Sequence, residues 1–263
     1  MKLLLKIVVN DFNNASRDKR ELSVVSQFNT KIIVMAKGEH NEVTDTNDYE
    51  IHRRSTRPLG KYKPLIQLNR LISIITWSFY ARKLNAYCIS CHDLIALLIG
   101  WLSTWLIPKD KKPLLVYDSH EFEIERNTYG KRSKLSKLII SKLEKFLMNK
   151  CAFSIMVNDS IADEVQRIHG LRERPIVVRN IPNYWNIDES VCKKRKMEFC
   201  EQLGIPADTF IVMYHGGVMS GRGIETLLKS IQISKNVVVV VLGYGEKSYL
   251  EQLKHLAEEL HIS

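Results

Sequence analysis

The amino-acid sequence predicts an α/β protein that is built from two doubly wound parallel-sheet domains. Short apolar runs alternate with amphipathic helical patterns along most of the 263 residues, and this alternation is typical of parallel strands joined by helical crossovers. The length allows two modest domains, each with a core of its own. Hydrophobic residues make up 45% of the chain and charged residues 26%, which is ordinary for a globular protein.

The first domain is predicted to span residues 1–182. Its strand-like runs lie at residues 3–9, 31–36, 87–90, 114–118, 153–157 and 176–178. Its helical patterns lie at residues 17–27, 64–84, 93–106, 131–150 and 160–168. Because crossovers between parallel strands are almost always right-handed, these elements predict one twisted sheet with helices on its faces.

A linker at residues 183–203 is predicted to lead into a second domain at residues 204–263. The linker contains an expected hinge at residues 183–190 and a helix at residues 193–203. In the second domain, strands are predicted at 210–214 and 237–242, with helices at 224–231 and 249–260. Only two strands are recognisable there, so we expect this domain to be incomplete.

The net charge of +10 is concentrated in the first domain. Basic and acidic residues nearly balance from residue 191 onward, so the excess lies within the first 190 residues. An anionic partner is therefore expected to meet the first domain. Nucleic acid is a weaker candidate for that partner, because the basic stretches lack interleaved aromatic residues for base stacking.

The cysteines and the apolar runs predict a cytoplasmic protein without a membrane span. The five cysteines are an odd number without regular spacing, which fits a reducing compartment. Cys88 and Cys91 lack a second pair at zinc spacing, so we interpret them as a coincidence at a strand end. The longest apolar run, residues 94–107, has 14 residues, whereas a spanning helix needs about 20.

Residues 131–150 are predicted to form a basic amphipathic helix. The segment holds seven basic residues and one acidic residue, Glu144, while apolar residues recur at helical spacing. Such a helix is either an ordinary solvated face or a contact with an anionic membrane surface, where each basic residue adds about 1 kcal/mol. Trp77, Trp101 and Trp105 lie on neighbouring helices and are predicted to help anchor the protein at that surface.

Two glycine-containing loops follow the predicted strands of the second domain. Gly216 and Gly217 lie between the first strand and its helix, and Gly243 and Gly245 follow the second strand. Glycine lets the backbone approach a ligand, and a helix start favours anions, to which Arg222 adds a charge. Glycine is also common at such junctions simply because the chain turns there. The loop lacks the GxGxxG and Gly-Lys-Ser/Thr patterns of stricter phosphate loops.

Polar residues in the first domain gather where the strand at 114–118 ends. Asp118, His120 and Glu121 emerge at its carboxyl end, where open α/β sheets place their ligands. The ordinary interpretation is that Asp118 caps the turn and His120 is a satisfied loop histidine. Asp93, at the start of the preceding helix, is predicted to be an N-cap.

An ordered set of motifs across the whole chain resembles glycosyltransferase family 4, whose members have two facing Rossmann-like domains, the GT-B fold. Three segments resemble the first domain of that family and its exit to the second domain; they are VYDSHEFE, FSIMVNDSIADEV and IVVRNIPN. HGGVMSGRGIETLL and VVVVVLGYGEKSYLEQL resemble the start of its donor-binding domain.

The resemblance implies transfer of a sugar, with retention, from a nucleotide-sugar donor to a lipid-linked or polysaccharide acceptor in cell-surface polysaccharide biosynthesis. The resemblance implies that His120 lies beside the reacting sugar. It makes Asp118 and Glu121 candidates for contact with the acceptor. The donor diphosphate is expected to meet Gly216, Gly217 and Arg222, and Gly243 and Gly245 line the same floor. The implied location is the cytoplasmic face of the membrane, with the protein bound peripherally.

One motif is absent from the sequence, and two features depart from the family pattern. No Asp-x-Asp motif occurs, so neither a metal ion nor another cofactor is expected. Val218 replaces an arginine that many members carry. The family normally continues to a Glu-x7-Glu motif, and this sequence stops before it. We therefore expect that a longer reading frame or a partner chain completes the donor site, or that the protein is a noncatalytic remnant. A nucleotide-sugar epimerase is a further alternative, but this sequence does not contain the carboxyl-terminal set of acids and histidines that such an enzyme needs.

Overall fold

The structure is a computed structural model that describes residues 1–55, 63–125, 132–234 and 236–262. The chain forms two compact units, Met1–Pro182 and Asn183–Ser263. Each candidate functional feature lies within one unit or the other.

The first unit is an eight-stranded sheet with helices on both faces. Its strands are β1 (Lys2–Val8), β2 (Thr30–Gly38), β3 (Glu42–Asp45), β4 (Glu50–Ser55), β5 (Cys88–His92), β6 (Leu114–Asp118), β7 (Phe153–Met156) and β8 (Ile176–Val177). Its helices are α1 (Ser16–Val25), α2 (Lys63–Lys83), α3 (Asp93–Thr104), α4 (Lys134–Met148) and α5 (Asp159–His169). The strand order is β3-β4-β2-β1-β5-β6-β7-β8. Every neighbouring pair is parallel except β3 and β4.

This architecture confirms the predicted α/β class. The chain moves from β1 to β2 in one direction across the sheet and from β4 through β8 in the other. Right-handed crossovers therefore place α1 on one face and α2 to α5 on the opposite face. The two cores agree with this arrangement, because Leu22 of α1 packs with Val8 and Ile32, whereas Trp77 of α2 packs with Leu5 and Leu97.

Two strands were not predicted from the sequence. β3 and β4 are rich in charged residues, and such strands lack the apolar run that marks a buried strand. Ile51 and His52 of β4 are nevertheless buried, because β4 pairs with β2 inside the sheet. β3 is exposed along its whole length and closes this edge as an antiparallel strand.

The second unit contains α6 (Glu189–Leu203), β9 (Phe210–His215), α7 (Ile224–Ile231), β10 (Val237–Leu242) and α8 (Lys247–Glu259). In the described residues its sheet has two parallel strands, β9 and β10. Its core is small and is centred on Val218, Ile224 and Leu253. α6 begins four residues earlier than predicted, because Asp188 caps it by accepting from the backbone N–H groups of Ser190 and Val191. The predicted hinge at residues 183–190 therefore overlaps this helix.

The structure corrects one predicted interface residue. Trp77 is only 3% exposed and packs in the core beneath α2, so it is not available as a membrane anchor. Trp105 is exposed, and Trp101 is half-buried beside it. Across the described residues, we find no helix that combines the length and the apolar character needed to cross a bilayer.

Candidate functional site

A buried cluster of charged and imidazole side chains lies at the carboxyl ends of β1, β5 and β6. Strand alternation explains its position, because successive side chains point to opposite faces of the sheet. Cys91 therefore lies in the core, while the next residue, His92, is directed to the α1 side. Asp118 emerges in the same way after Tyr117. We call this group the histidine–carboxylate cluster; its members are Lys6, Arg17, Asp18, Glu21, His92, Asp118 and His120.

His92 connects the two carboxylates and the second imidazole of the cluster. Its Nδ1 lies 2.8 Å from Asp18 Oδ1 and 3.6 Å from Asp118 Oδ2. The same Nδ1 lies 2.9 Å from Nε2 of His120. His92 and Asp118 are almost completely buried, whereas the side chain of His120 is 26% exposed. His120 is therefore the imidazole of this cluster that a bound molecule can reach.

Lys6 and Arg17 balance the carboxylates of the cluster. Lys6 Nζ lies 3.2 Å from Asp18 Oδ1 and 2.6 Å from Glu21 Oε2. Arg17 donates from Nη2 to Asp118 Oδ1 over 2.7 Å and from Nε to Glu21 Oε1 over 2.9 Å. Buried charges persist only when they are paired in this way. The network therefore fixes α1 to the ends of β1 and β6.

The surroundings of the cluster lower the pKa values of its two aspartates and raise the pKa of its accessible imidazole. Burial raises the pKa of Asp18, but a hydrogen bond from His92 and the charges of His92 and Lys6 outweigh it and hold the pKa well below the usual range. Burial likewise opposes ionisation of Asp118, yet the imidazoles and Arg17 lower its pKa. For His120, burial lowers the pKa, and the interaction with Asp118 more than compensates, so that the net shift is upward.

The backbone turn that follows His92 is strained. Asp93 has a φ of 70°, a left-handed conformation that side chains other than glycine rarely adopt and that is often found at functional sites. The prediction that Asp93 caps α3 was wrong, because the helix already begins at Asp93 and His92 occupies the N-cap position.

A second buried polar network lies on the opposite face of β6. Tyr117 donates to Glu144 over 2.8 Å, and Glu144 lies 3.1 Å from Nε2 of His169. All three side chains are buried, and burial beside Glu144 raises the pKa of Tyr117 well above its usual range. This network joins α4 and α5 to the sheet, and it is separated from the histidine–carboxylate cluster by the strand itself.

The cluster also has the composition of a cation site. One ligand atom each from Asp18, His92 and His120 lies within 4.8 Å of the others, and two imidazoles with a carboxylate suit a divalent transition metal. The positive charges of Lys6 and Arg17 already compensate these carboxylates, which weakens the attraction for a further cation. The residues therefore fit a self-compensated ion network better than a resident metal.

The other predicted residues of this edge are in different environments. Asp118 is 1% exposed and bonded to Arg17, so it orients its neighbours; direct contact with an acceptor stays a prediction. Glu121 is exposed, and its main-chain carbonyl accepts a hydrogen bond from Ser119. An open polar cleft of 1480 Å³ lies at the carboxyl ends of β1 and β2, with Asn13 and Arg53 among its walls.

The two glycine loops of the second unit contact each other at the carboxyl ends of β9 and β10. Gly216 donates its N–H to the carbonyl of Leu242, and Val218 donates to the carbonyl of Tyr244. A Cβ at Gly243 would lie 1.8 Å from the carbonyl oxygen of Gly216. A Cβ at Gly245 would lie 2.0 Å from the carbonyl oxygen of Val218. These glycines are thus required for the close packing of the two loops.

Arg222 is exposed in the loop that leads to α7. Gly223, at the N-cap, has a φ of 77°, and no side chain caps the helix. The helix start and the guanidinium are thus near each other in sequence and open to solvent. Contact of Arg222, Gly216 and Gly217 with a donor diphosphate remains a prediction.

Sequence reasoning did not identify Lys6, Arg17, Asp18 and Glu21 as members of the site. Lys6 carried a usable signal, because a lysine inside an apolar strand is rarely buried without a partner. The α1 residues carried no such signal, since charged residues at the start of a helix are usually solvated.

The sequence matches no protein-family profile and no curated protein. Solved structures nevertheless match the whole chain at low identity. Sucrose-phosphate synthase from Thermosynechococcus elongatus has a TM-score of 0.74 at 13% identity over 100% of this chain and 69% of its own. HepE from Anabaena, solved with UDP and glucose, has a TM-score of 0.69 at 14% identity, with 100% and 67% covered. Starch synthase IV from Arabidopsis thaliana, bound to ADP and acarbose, has a TM-score of 0.64 at 9% identity, with 100% and 72% covered.

These structures are GT-B glycosyltransferases, and the likeness shows the fold class of this chain: mixed α/β with Rossmann-like domains of the GT-B type. The chain spans about two thirds of their length. At these low identities the structural likeness shows the fold alone.

Proposed function

We propose that this protein is a retaining glycosyltransferase similar to family 4, which moves a sugar from a nucleotide-sugar donor to a lipid-linked or glycan acceptor. We further propose that it acts in cell-surface polysaccharide biosynthesis, as a peripheral protein at the cytoplasmic face of the membrane. The proposal rests on one observation: His120 is the accessible imidazole of a largely buried ion network at the carboxyl edge of the sheet.

The first unit would supply the acceptor side of this reaction. His120 is held by its contacts with His92 and Asp118, and a rigid imidazole of this kind suits a hydrogen bond to a sugar hydroxyl at the reacting centre. The open cleft at the carboxyl ends of β1 and β2 is lined by amide and charged groups that include Asn10, Asn13 and Arg53; Arg53 already donates to Asn13 over 2.8 Å. Such groups hydrogen-bond to hydroxyls, so we assign this cleft to the acceptor.

The second unit would supply the donor side. The paired loops place backbone groups of Gly216 and Gly217 at the carboxyl ends of two parallel strands, where open α/β sheets bind ligands. Arg222 and the uncapped start of α7 favour a diphosphate. Arg222 and backbone N–H groups would stabilise the charge that develops on the leaving diphosphate.

Transfer with retention needs no nucleophile from the protein in this proposal. The leaving phosphate oxygen accepts the proton of the acceptor hydroxyl as that hydroxyl attacks the same face of the sugar. The new glycosidic bond forms as the bond from sugar to diphosphate breaks, and a nucleoside diphosphate is released. His120 positions the sugar through a hydrogen bond to a hydroxyl and does not carry the transferred proton.

Nucleotide binding and sugar turnover test the proposal separately. Calorimetric titration with UDP, GDP and ADP should show saturable binding of one of them. A panel of nucleotide sugars should then give release of the same nucleoside diphosphate, by transfer to water or to added glycans. His120→Ala should lower release about tenfold or more, because the sugar is no longer held in position, and should leave nucleotide affinity unchanged.

The matched control is His255→Ala, an exposed histidine on α8, which should behave like the wild type. Absence of binding to every nucleoside diphosphate would overturn the donor assignment. Full turnover by the His120→Ala variant would overturn the role of His120.

A further inference from the structure

Three adjacent helices of the first unit present an apolar and basic outer face. We propose that this face, formed by α2, α3 and α4, is the surface through which the protein docks onto an anionic membrane. The inference deepens the membrane association in the proposed function, on which it rests, by naming the elements that insert.

α2 has an unusual outer stripe. Leu68, Leu71, Ile72, Ile75 and Phe79 are all exposed, and their spacing of three and four residues places them along one side of the helix. The opposite side of α2 packs in the core through Trp77 and Ala81. α2 is therefore apolar on both sides, although the described part of the chain covers only one of them.

α3 continues the apolar surface between α2 and α4. Ile95 and Trp105 are exposed on its outer side, and Leu98 and Leu102 between them are half-buried. Trp105 stacks on Trp101 at a ring distance of 6.5 Å. α2 reaches the same end of α3, where Arg82 donates to the carbonyl of Trp105 over 3.2 Å.

α4 completes the surface and adds positive charge. Leu135, Leu138, Ile139 and Phe146 are exposed, and Phe146 packs edge-on against Trp101 at 5.3 Å. Lysines alternate with these residues; they are Lys134, Lys137, Lys142 and Lys145. Lys137 is paired with Glu125.

The exposed charges that α2, α3 and α4 themselves carry have one sign, although Glu125, next to α4, pairs with Lys137. The acidic residues of α2, α3 and α4 are Asp93 and Glu144. Asp93 begins α3, and Glu144 is buried under α4, where it bonds to Tyr117. The exposed charges of the three helices are therefore basic, including Arg70 and Arg82 on α2.

The remaining helix on the same side of the sheet shows that this pattern is not general. α5 directs Asp163, Glu164 and Arg167 outward, and Arg167 pairs with Glu164. α5 is thus an ordinary solvated helix, whereas its neighbours combine apolar area with lysine. That combination suits the boundary between anionic headgroups and acyl chains better than it suits water.

A lipid surface fits this face better than a second copy of the chain does. Two copies of one basic face would bring like charges together, which opposes association unless an anionic layer lies between them. Anionic lipid instead attracts each lysine while the leucine and aromatic side chains enter the acyl boundary.

Vesicle sedimentation of the full chain tests the surface. Vesicles of phosphatidylcholine alone are compared with vesicles that also contain phosphatidylglycerol, at low and at high salt. We expect binding only with phosphatidylglycerol, and weaker binding at high salt. Lys142→Gln should weaken binding about fivefold, and Leu71→Gln and Ile75→Gln about tenfold each.

Matched controls separate insertion from a general change of surface. Val24→Gln removes an exposed apolar residue on α1, across the sheet, and Lys193→Gln removes an exposed lysine on α6. Both should bind like the wild type, and circular dichroism should show that all the variants are folded.

Equal binding to both vesicle types, or α2 variants that bind as Val24→Gln does, would overturn the proposal. Self-association that the α2 variants abolish, without vesicle binding, would overturn it in favour of a dimer. Nucleotide affinity, measured by calorimetry on the same samples, distinguishes these failures from a failure of the proposed function, because the surface variants should leave it unchanged.

Discussion

The Nδ1 atom of His92 lies 2.9 Å from the Nε2 atom of His120, so the accessible imidazole of the cluster is bonded to a buried one. Nδ1 of His92 carries at most one hydrogen, which is directed either to Nε2 of His120 or to the carboxylate of Asp18. Asp18 lies 2.8 Å from the same Nδ1 of His92. Burial lowers the pKa of His120, and the carboxylate of Asp118, 3.8 Å from its Nε2, raises it by more.

The first prediction concerns the dependence of stability on pH. The pKa of His120 is raised above its ordinary value of 6.5 in the folded protein, so the native state holds this proton more tightly than the unfolded chain does. Its contribution to the free energy of unfolding is complete below 6.5 and is lost as the pH rises through the raised value. Urea unfolding across that range should show a decrease that is smaller in His120→Gln.

The two carboxylates do not contribute to this change. The pKa values of Asp18 and Asp118 are lowered from 3.8, so their stabilisation is present above that value and is lost only as the pH falls through the lowered values. His255→Gln, on the surface of α8, is the control and should retain the wild-type pH dependence. If the free energy of unfolding of His120→Gln depended on pH as that of the wild type does, the assignment of this pH dependence to His120 would be wrong.

The second prediction concerns Arg17. Arg17→Met should lower the free energy of unfolding by about 3 kcal/mol, because it leaves Asp118 buried without its charged partner. Urea unfolding of the purified variant measures this change. Arg167→Met, which removes an exposed arginine paired with Glu164, should differ little from the wild type. A small effect of Arg17→Met would show that water or another cation replaces the guanidinium.

The sequence predicts the parallel sheet and the helices that cover it, because apolar strands and helical periodicity are local signals. It also places His120 at a strand end. It does not predict the cluster around His120, because Arg17 and Asp118 are 101 positions apart in the chain and meet only when β1 and β6 lie in one sheet. β4 was missed for a similar reason: its burial depends on pairing with β2, not on an apolar run.

The third prediction compares two glycines of the second unit. Gly243→Ala should lower stability by about 1–3 kcal/mol, because its Cβ would lie 1.8 Å from the backbone oxygen of Gly216. Gly217→Ala meets only the flexible end of Met219 at 3.1 Å and should be tolerated. Thermal unfolding measures the stability of both variants, and hydrogen exchange of the backbone amides in β9 and β10 measures the local effect. Equal stability of the two variants would contradict the packing role of Gly243.

The glycine pattern of one loop does not by itself indicate which role its glycines have. Glycines after a strand are compatible with ligand approach, with a turn or with close packing of two loops. The contacts between Gly243 and Gly216 and between Gly245 and Val218 supply a packing reason that needs both loops in place, and a single loop sequence contains no information on its neighbour.

The fourth prediction concerns Arg222. Arg222→Ala should weaken the binding of a nucleoside diphosphate about tenfold, because one charge-assisted hydrogen bond to phosphate is lost. Its exposed position implies that the fold is unaffected, which circular dichroism can verify. Lys229→Ala, which removes a basic residue from the last turn of α7, is the control. Calorimetric affinities that are equal in the wild type and Arg222→Ala would remove Arg222 from the donor site.

The last prediction is that nucleotide binding and sugar transfer do not require a divalent metal. The sequence has no Asp-x-Asp motif to hold a cation on a diphosphate, and Arg222 would supply positive charge in its place. Asp18, His92 and His120 are close enough to share a cation, but Lys6 lies 3.2 Å from the same Asp18 oxygen and Arg17 neutralises Asp118. Treatment with EDTA should leave nucleotide affinity and turnover unchanged, and titration with zinc should leave the imidazole NMR signals of His92 and His120 unshifted. Loss of nucleotide binding on chelation, restored by magnesium or manganese, would instead place a cation on the diphosphate; a stoichiometric zinc-induced shift of both imidazoles would place one in the histidine–carboxylate cluster.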